Sequence, residues 1–164
     1  MGRVLSWDEA ARWRDGERAG GRRVVLTNGV FDLVHAGHVD LLERARGLGD
    51  VLVVALNTDA STRRLKGEAR PILPEGDRAR VLAALAAVDV VVLFDEDTPE
   101  ALIRRLVPDV LVKGADYEMG AIAGREAVEQ AGGQVVRLPL VEGRSTSAIV
   151  EDIVRRYRGV AKDA

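Results

Sequence analysis

A chain of 164 residues is long enough for one domain with a real core, and 47% hydrophobic with 30% charged residues is the make-up of an ordinary soluble globular protein. A net charge of -2 leaves no basic footprint for nucleic acid, and the lack of cysteine excludes disulfides and thiolate metal sites. No apolar run approaches the roughly 18 residues of a membrane helix, and the N-terminus lacks a signal-peptide core, so a cytoplasmic protein without membrane partners is expected.

In chain order, Ser6 and Glu9 have capping-box spacing and predict a helix from Trp7 to about Glu17, with Trp7, Ala10, Ala11 and Arg14 on one face. Residues 1–20 thus read as an N-terminal helical extension to a core over 22–158, the whole of 1–164 being one domain. After Gly20-Gly21 comes a first strand, Arg23 to Thr27. A glycine-bearing turn follows, Asn28-Gly29-Val30-Phe31-Asp32, and then His35-Ala36-Gly37-His38 at the start of a helix striped by Leu41, Leu42, Ala45 and Leu48. His35 and His38 are the only histidines in the chain. Val51 to Leu56 is a second strand, apolar on both faces as in a covered parallel sheet.

The polar segment Asn57 to Pro74 reads as a long basic loop, carrying Arg63, Arg64, Lys66 and Arg70, and loops of this length are often functional. A helix from Asp77 to Ala87 turns Val81, Leu82, Leu85 and Val88 inward. Val90 to Phe94 is a third strand, and Thr98-Pro99 predicts a helix with threonine at the cap and proline at the first position. Val110 to Val112 is a fourth strand running into Lys113-Gly114-Ala115-Asp116-Tyr117. A helix from Gly124 to Ala131 and a fifth strand, Val135 to Leu138, follow. The chain then passes Gly143-Arg144-Ser145-Thr146-Ser147 into a final helix expected to bury Ile149, Val150, Ile153, Val154 and Tyr157, and frays from about Gly159.

Alternating strands and helices predict a single Rossmann-like doubly wound α/β domain with a five-stranded, mostly parallel sheet. Ligands of such sheets bind beyond the carboxyl ends of the strands, and every polar segment named above follows such an end. The segments are therefore expected to converge on one rim. Histidines at a turn and helix start can donate to phosphate, where free N–H groups and the helix dipole already favour an anion; capping or core histidines are the plainer alternative. Zinc is disfavoured, since the histidine spacing is three and no further histidine or cysteine completes a site. Ser145 or Thr146 can serve as an N-cap or as a phosphate ligand, and Asp32 as a turn cap, an acceptor or a hold on a magnesium-linked water.

Asn28-Gly29-Val30-Phe31-Asp32 with His35-Ala36-Gly37-His38, and Gly143-Arg144-Ser145-Thr146-Ser147, resemble the two phosphate-binding signatures of the cytidylyltransferase-like nucleotidyltransferases. Within that superfamily, Arg64-Leu65-Lys66-Gly67-Glu68-Ala69-Arg70-Pro71-Ile72 and Leu111 to Tyr117 most resemble the D-glycero-β-D-manno-heptose 1-phosphate adenylyltransferases, in a form without the sugar kinase domain to which they are often fused. Val30, Arg144 and Ser147 depart from the usual residues of these signatures. The resemblance implies transfer of AMP from ATP to a sugar 1-phosphate in ADP-heptose synthesis, with Mg2+ arriving on the triphosphate and a homodimer as the assembly. It makes His35, His38 and Lys66 catalytic. Thr27, Asn28, Gly29, Val30, Phe31, Gly37, His38, Lys113, Gly114, Asp116, Arg144, Ser145, Thr146 and Ser147 would bind nucleotide, and Asp32, Asn57, Arg70 and Arg78 the sugar phosphate. A CTP-dependent cytidylyltransferase acting on glycerol 3-phosphate or another phospho-alcohol, a non-catalytic nucleotide-binding module and a fragment related to class I aminoacyl-tRNA synthetases are the competing readings.

Overall fold

The computed structural model describes residues 1–115, 118–139, 141 and 143–158. Six parallel strands lie in the order β1-β4-β3-β2-β5-β6, where β1 is Arg3–Leu5, β2 Val24–Gly29, β3 Val51–Asn57, β4 Val90–Phe94, β5 Val110–Gly114 and β6 Gln134–Leu138. The helices are α1 Trp7–Ala19, α2 Ala36–Arg46, α3 Asp59–Lys66, α4 Glu75–Ala84, α5 Glu100–Leu106, α6 Arg125–Gln130 and α7 Thr146–Tyr157. The inner strands can be almost wholly apolar because both faces are covered. Alternate residues go to opposite sides. Val24, Leu26, Val53 and Ala55 pack with Ala10 of α1, Leu102 and Ile103 of α5 and Val128 of α6. Val25, Leu52, Val54 and Leu56 pack with Leu42 and Ala45 of α2 and Ala79 and Leu82 of α4.

Short acidic side chains hold the incoming ends of the strands. The carboxylates of Asp50, Asp89 and Asp109 accept from the backbone N–H of Arg23, Leu52 and Val24 at 2.7, 2.7 and 2.8 Å. The Ser6–Glu9 capping box starts α1 as its spacing predicts.

The sheet has six strands where five are expected. The strand without a sequence signal is β1, three residues long, which pairs only with β4 and leaves Val4 half exposed. Residues 1–20 therefore contribute a sheet edge as well as a helix. The stretch after β3 opens with a helix rather than being loop throughout, and Thr58 caps that helix, α3, by accepting from the Ser61 N–H. The next helix, α4, starts and stops before the expected Asp77–Ala87, and Val81, expected inside, is 42% exposed, while Leu82 and Val88 are buried as anticipated. Pro99, not Thr98, occupies the N-cap of α5. Ile153, Val154 and Tyr157 of α7, expected inside, are 49%, 46% and 62% exposed. A periodic stripe shows that a helix has an apolar face, not what covers it.

Arg78 governs the rim at which the strands end. Its side chain, 1% exposed, donates from Nη1 to the carbonyls of Val30 and Asn57 at 2.7 and 2.9 Å. Its Nε donates to the Leu73 carbonyl at 3.0 Å and its Nη2 to the Asp59 carboxylate at 2.7 Å. The sequence expectation that Arg78 meets substrate is thus corrected: it is a buried clamp joining β2, β3, α3 and the segment before α4. Removing one member of a buried charged set leaves the others uncompensated, at a cost of roughly 3–5 kcal/mol. Urea denaturation should show Arg78→Met losing about that much stability, whereas Val81→Lys stays within about 0.5 kcal/mol of wild type because its side chain faces water. Wild-type stability in the Arg78 variant would remove the clamp from this account.

Candidate active site

From β2 the chain moves to β3 and β4, then returns across β2 to β5 and β6. The strand order therefore reverses between β2 and β5, and a ligand crevice belongs at their carboxyl ends. A cleft of about 470 Å³ opens there. It brings together Asn28 to Asp32 and His38 from the first signature, Asn57, Lys66 and Arg70 from the segment after β3, Lys113 from β5, and Ser145 to Ser147 from the last signature.

The histidines sit where α2 begins. His35 is the N-cap residue but makes no side-chain capping bond, so its ring is left for the site. The two imidazoles stack with centroids 3.8 Å apart, and Phe31 closes the other side of His38 at 5.1 Å. Phe31 adopts φ 46, a conformation uncommon for a residue with a side chain. Gly37 is required between the histidines: a Cβ there would lie 3.0 Å from the Arg144 Cβ and 3.1 Å from the His35 ring. Both Nδ1 atoms are buried without a hydrogen-bond partner. Burial pushes the His38 pKa down to about 4, helped by the neighbouring His35, against a hydrogen bond from His38 to the Leu33 carbonyl. His35 is also lowered, by burial and by Arg144.

The remaining polar groups are held from below. Lys113 donates to the Asn28 side-chain oxygen, and burial pushes its ammonium down to about 8. Asp32, 2% exposed, is taken up by the segment after α3: it accepts from the N–H groups of Ile72 and Leu73 at 2.8 and 3.0 Å and from Arg70 Nε. Burial alone would raise the Asp32 pKa, but these N–H groups and Arg70 outweigh it and hold the carboxyl below its usual value. The bond to Asp32 uses Nε of Arg70 and leaves its outer guanidinium nitrogens to the cleft. Asn57 donates to Ser61 Oγ at 2.9 Å. Ser145 caps α7 by accepting from the Ala148 N–H, and Thr146 donates to the Leu33 carbonyl.

Some expected site residues lie outside the cleft. Thr27 is 1% exposed and donates to the Val112 carbonyl between β2 and β5. Arg78 is the clamp. His35, Gly37, Gly114 and Arg144 are not among the residues that line the cleft, although His35 stacks on His38, which does, and Gly37 lies against Arg144 and the His35 ring. Asp116 and Tyr117 lie outside the described residues. Of the basic side chains in the segment after β3, Arg64 pairs with Asp97 at 2.9 Å and so is not among those that line the cleft. The cleft also uses Phe94, Thr98 and Pro99 at the end of β4 and Ala121 to Ala123 after β5. The rule that ligands meet strand ends could have found the first three; Ala121 to Ala123 carry no chemical signal.

A parallel α/β sheet with a histidine pair at its switch point and two helix starts on one cationic cleft defines a nucleotide-binding domain of the nucleotidyltransferase class. The chain belongs to the cytidylyltransferase-like family, whose model matches residues 26–151. It is 59% identical over 141 residues to the bifunctional protein HldE of Citrifermentans bemidjiense, covering 86% of this chain and 29% of that protein. Against the bifunctional protein HldE of Magnetococcus marinus it is 56% identical over 155 residues, 92% of this chain and 31% of the relative. The chain thus spans about a third of these relatives. The crystal structure of a lipopolysaccharide core biosynthesis protein from Thermoplasma volcanium aligns with a TM-score of 0.64 at 30% identity, over 74% of this chain and 100% of that one.

His38 carries a pH prediction. An unfolded histidine titrates near 6.5, so between that pH and about 4 the unfolded chain takes up a proton that folded His38 refuses. Stability contributed by this neutral histidine is present above the unfolded pKa and is lost as pH falls through the window. Unfolding measured at pH 7 and pH 4.5 should show wild type losing roughly 2 kcal/mol more than His38→Gln; equal losses would count against a buried neutral imidazole.

Proposed function

We propose that this domain transfers AMP from ATP to D-glycero-β-D-manno-heptose 1-phosphate, giving ADP-heptose and pyrophosphate. The observation that carries the proposal is the stacked His35–His38 pair with unpartnered Nδ1 atoms, at the start of α2 and beside a cleft lined by Lys66, Arg70 and Lys113. The heptose assignment is supported by the motifs around Lys66 and Lys113 and by the similarity to the HldE proteins.

An oxygen of the sugar phosphate attacks the α-phosphorus in line. The bond from that phosphorus to the bridging oxygen breaks, and pyrophosphate leaves with the electron pair. The attacking oxygen is already anionic, so the domain needs neither a general base nor a nucleophile of its own. Catalysis is positioning and charge stabilisation. With one His38 nitrogen donating to Leu33, Nδ1 can donate to a phosphate oxygen only after protonation, and an arriving polyanion favours that proton. His35 and His38 serve the α- and β-phosphates, and Lys66 meets charge that develops in the transition state. Ser145 and Thr146, with the free N–H groups of the first turn of α7, hold the outgoing pyrophosphate. Asn28 and Lys113 face the nucleotide, and the outer nitrogens of Arg70 bind the acceptor phosphate.

Among the described residues no three His, Cys, Asp or Glu side chains gather as a metal site. Asp32, in the lining of the cleft, is committed to Arg70 and two backbone N–H groups. On this reading magnesium enters as part of the magnesium–nucleotide substrate, in keeping with its preference for phosphate oxygens and water. No helix among the described residues is long and apolar enough to cross a membrane, and we place the reaction in the cytoplasm.

Pyrophosphate release, measured with each of ATP, CTP, GTP and UTP against heptose 1-phosphate and glycerol 3-phosphate, tests the assignment. Release confined to ATP with the heptose phosphate is expected. Release with CTP and glycerol phosphate would move the acceptor and the base, and silence in every pairing from a folded protein that binds nucleotide would leave a binding module. In the productive pairing His38→Ala should lower kcat by about 10²-fold or more without unfolding the domain. Lys66→Ala should lower kcat with stability within about 0.5 kcal/mol of wild type, since Lys66 is exposed.

A further inference from the structure

Helix α3 has eight residues, and a helix of about two turns does not hold itself together in water. Its place is therefore set by what it is tied to. Residues spaced by three along it meet the segment that follows β4. The Thr58 N–H donates to the Phe94 carbonyl at 3.0 Å, and its hydroxyl donates to the Asp95 carboxylate. Ser61 Oγ donates to the Glu96 carbonyl at 3.1 Å. Arg64 donates from Nε to the Asp97 carboxylate at 2.9 Å and from Nη2 to the Asp95 carbonyl.

The two ends of α3 are not equally secure. At the start, Asp59 also accepts from Arg78, and its N–H donates to Glu75 at 2.6 Å. At the finish, Leu65 is 47% exposed, Arg63 and Lys66 are exposed, and Gly67 follows with φ 92 and open space where a Cβ would stand. Among the described residues, Arg64 is the one side chain of this last turn that makes a hydrogen bond or an ion pair. Lys66 ends the helix and lines the cleft, beside Leu65 and Asp97. It leaves the helix about 160° around from Arg64, so any rotation or fraying of the turn carries Lys66 with it. Beyond it, Arg70 is tied to Asp32. Lys66 thus rides on a short span between two anchored arginines, the far anchor buried and the near one exposed.

We propose that Arg64 is a positioning residue: its bonds to Asp97 and to the Asp95 carbonyl hold the last turn of α3 and so set where Lys66 stands on the cleft. The proposal rests on the reading above in which Lys66 meets charge that develops in the transition state. Arg64 itself touches no substrate and acts through Lys66.

Two measurements test this, and the first needs no turnover. The chain has no cysteine, so Arg63→Cys carries a single nitroxide label on the last turn while Lys66 is kept. Its EPR line shape should be that of an ordered helix. Adding Arg64→Gln should introduce a mobile component with unchanged circular dichroism. Salt should loosen the label in the Arg64 parent and leave the Arg64→Gln form as it is. The second measurement is kinetic, with whichever nucleotide and acceptor release pyrophosphate. Exposed ion pairs are individually weak, so Arg64→Gln should lower kcat about three- to fivefold, with both KM values within about twofold of wild type. Arg64→Lys, which can still pair with Asp97, should recover most of the loss. In a Lys66→Ala background Arg64→Gln should change kcat by less than about 1.5-fold, because a residue that acts through another has no separate effect once that one is gone. An unchanged line shape in Arg64→Gln, or a kcat loss that persists without Lys66, would overturn the proposal. Absence of pyrophosphate release in every pairing would instead strike the transferase reading, which the line shape does not depend on.

Discussion

Two buried charges facing opposite ways hold the rim on which everything else depends. Arg78, on α4, reaches back to the carbonyls of Val30 and Asn57 where β2 and β3 end. Asp32, just beyond β2, reaches forward to the N–H groups of Ile72 and Leu73 and to Arg70. Each satisfies backbone groups that no regular structure could pair, at the point where strands give way to irregular chain. Together they tie the turn after β2 to the segment before α4. Neither charge needs a ligand to be stable, and each places a neighbour that does face the cleft: Phe31 under His38, and Arg70 with its outer nitrogens open.

The electrostatics of the cleft follow from that rigidity. Two imidazoles packed face to face in a partly buried corner cannot readily both be charged, and His38 is neutral at physiological pH. Positive charge comes instead from Lys66, Arg70 and Lys113, the last weakened by its own burial. A polyanion entering this corner replaces lost solvation and pairs with the nitrogens that the fold leaves bare. Under the function proposed above, the site would be prepared for charge that arrives with the substrate and grows in the transition state, the condition under which fixed donors lower a barrier. The comparison with related proteins agrees in scope: the family match over residues 26–151 runs from β2 to α7 and so includes both signatures.

How much of this the amino-acid sequence determined varies with the length scale of the cause. The inner strands were legible because burial on both faces demands unbroken aliphatic runs such as Val51 to Leu56. The capping box of α1 and the glycine between the histidines were legible because their causes lie within three or four residues. The two-signature cleft could be anticipated from one topological rule about strand ends, before any contact was known. By contrast, β1 exists because β4 offers it an edge, and α3 is a capped helix at the start of a polar, basic stretch.

Only the tertiary structure decided which charged groups serve the ligand and which serve the fold. Asp32, Arg70 and Arg78 are alike in sequence as polar residues near strand ends, yet Arg78 is wholly internal, Asp32 is spent on a neighbouring loop, and only Arg70 keeps donors for the cleft. The same holds for α7, whose apolar periodicity is plain in the sequence but whose exposure is not. The physical reason is common to both. Local sequence sets backbone preference and the pattern of a face, whereas a side chain's partner is set by whatever distant segment the fold brings within hydrogen-bonding or van der Waals reach.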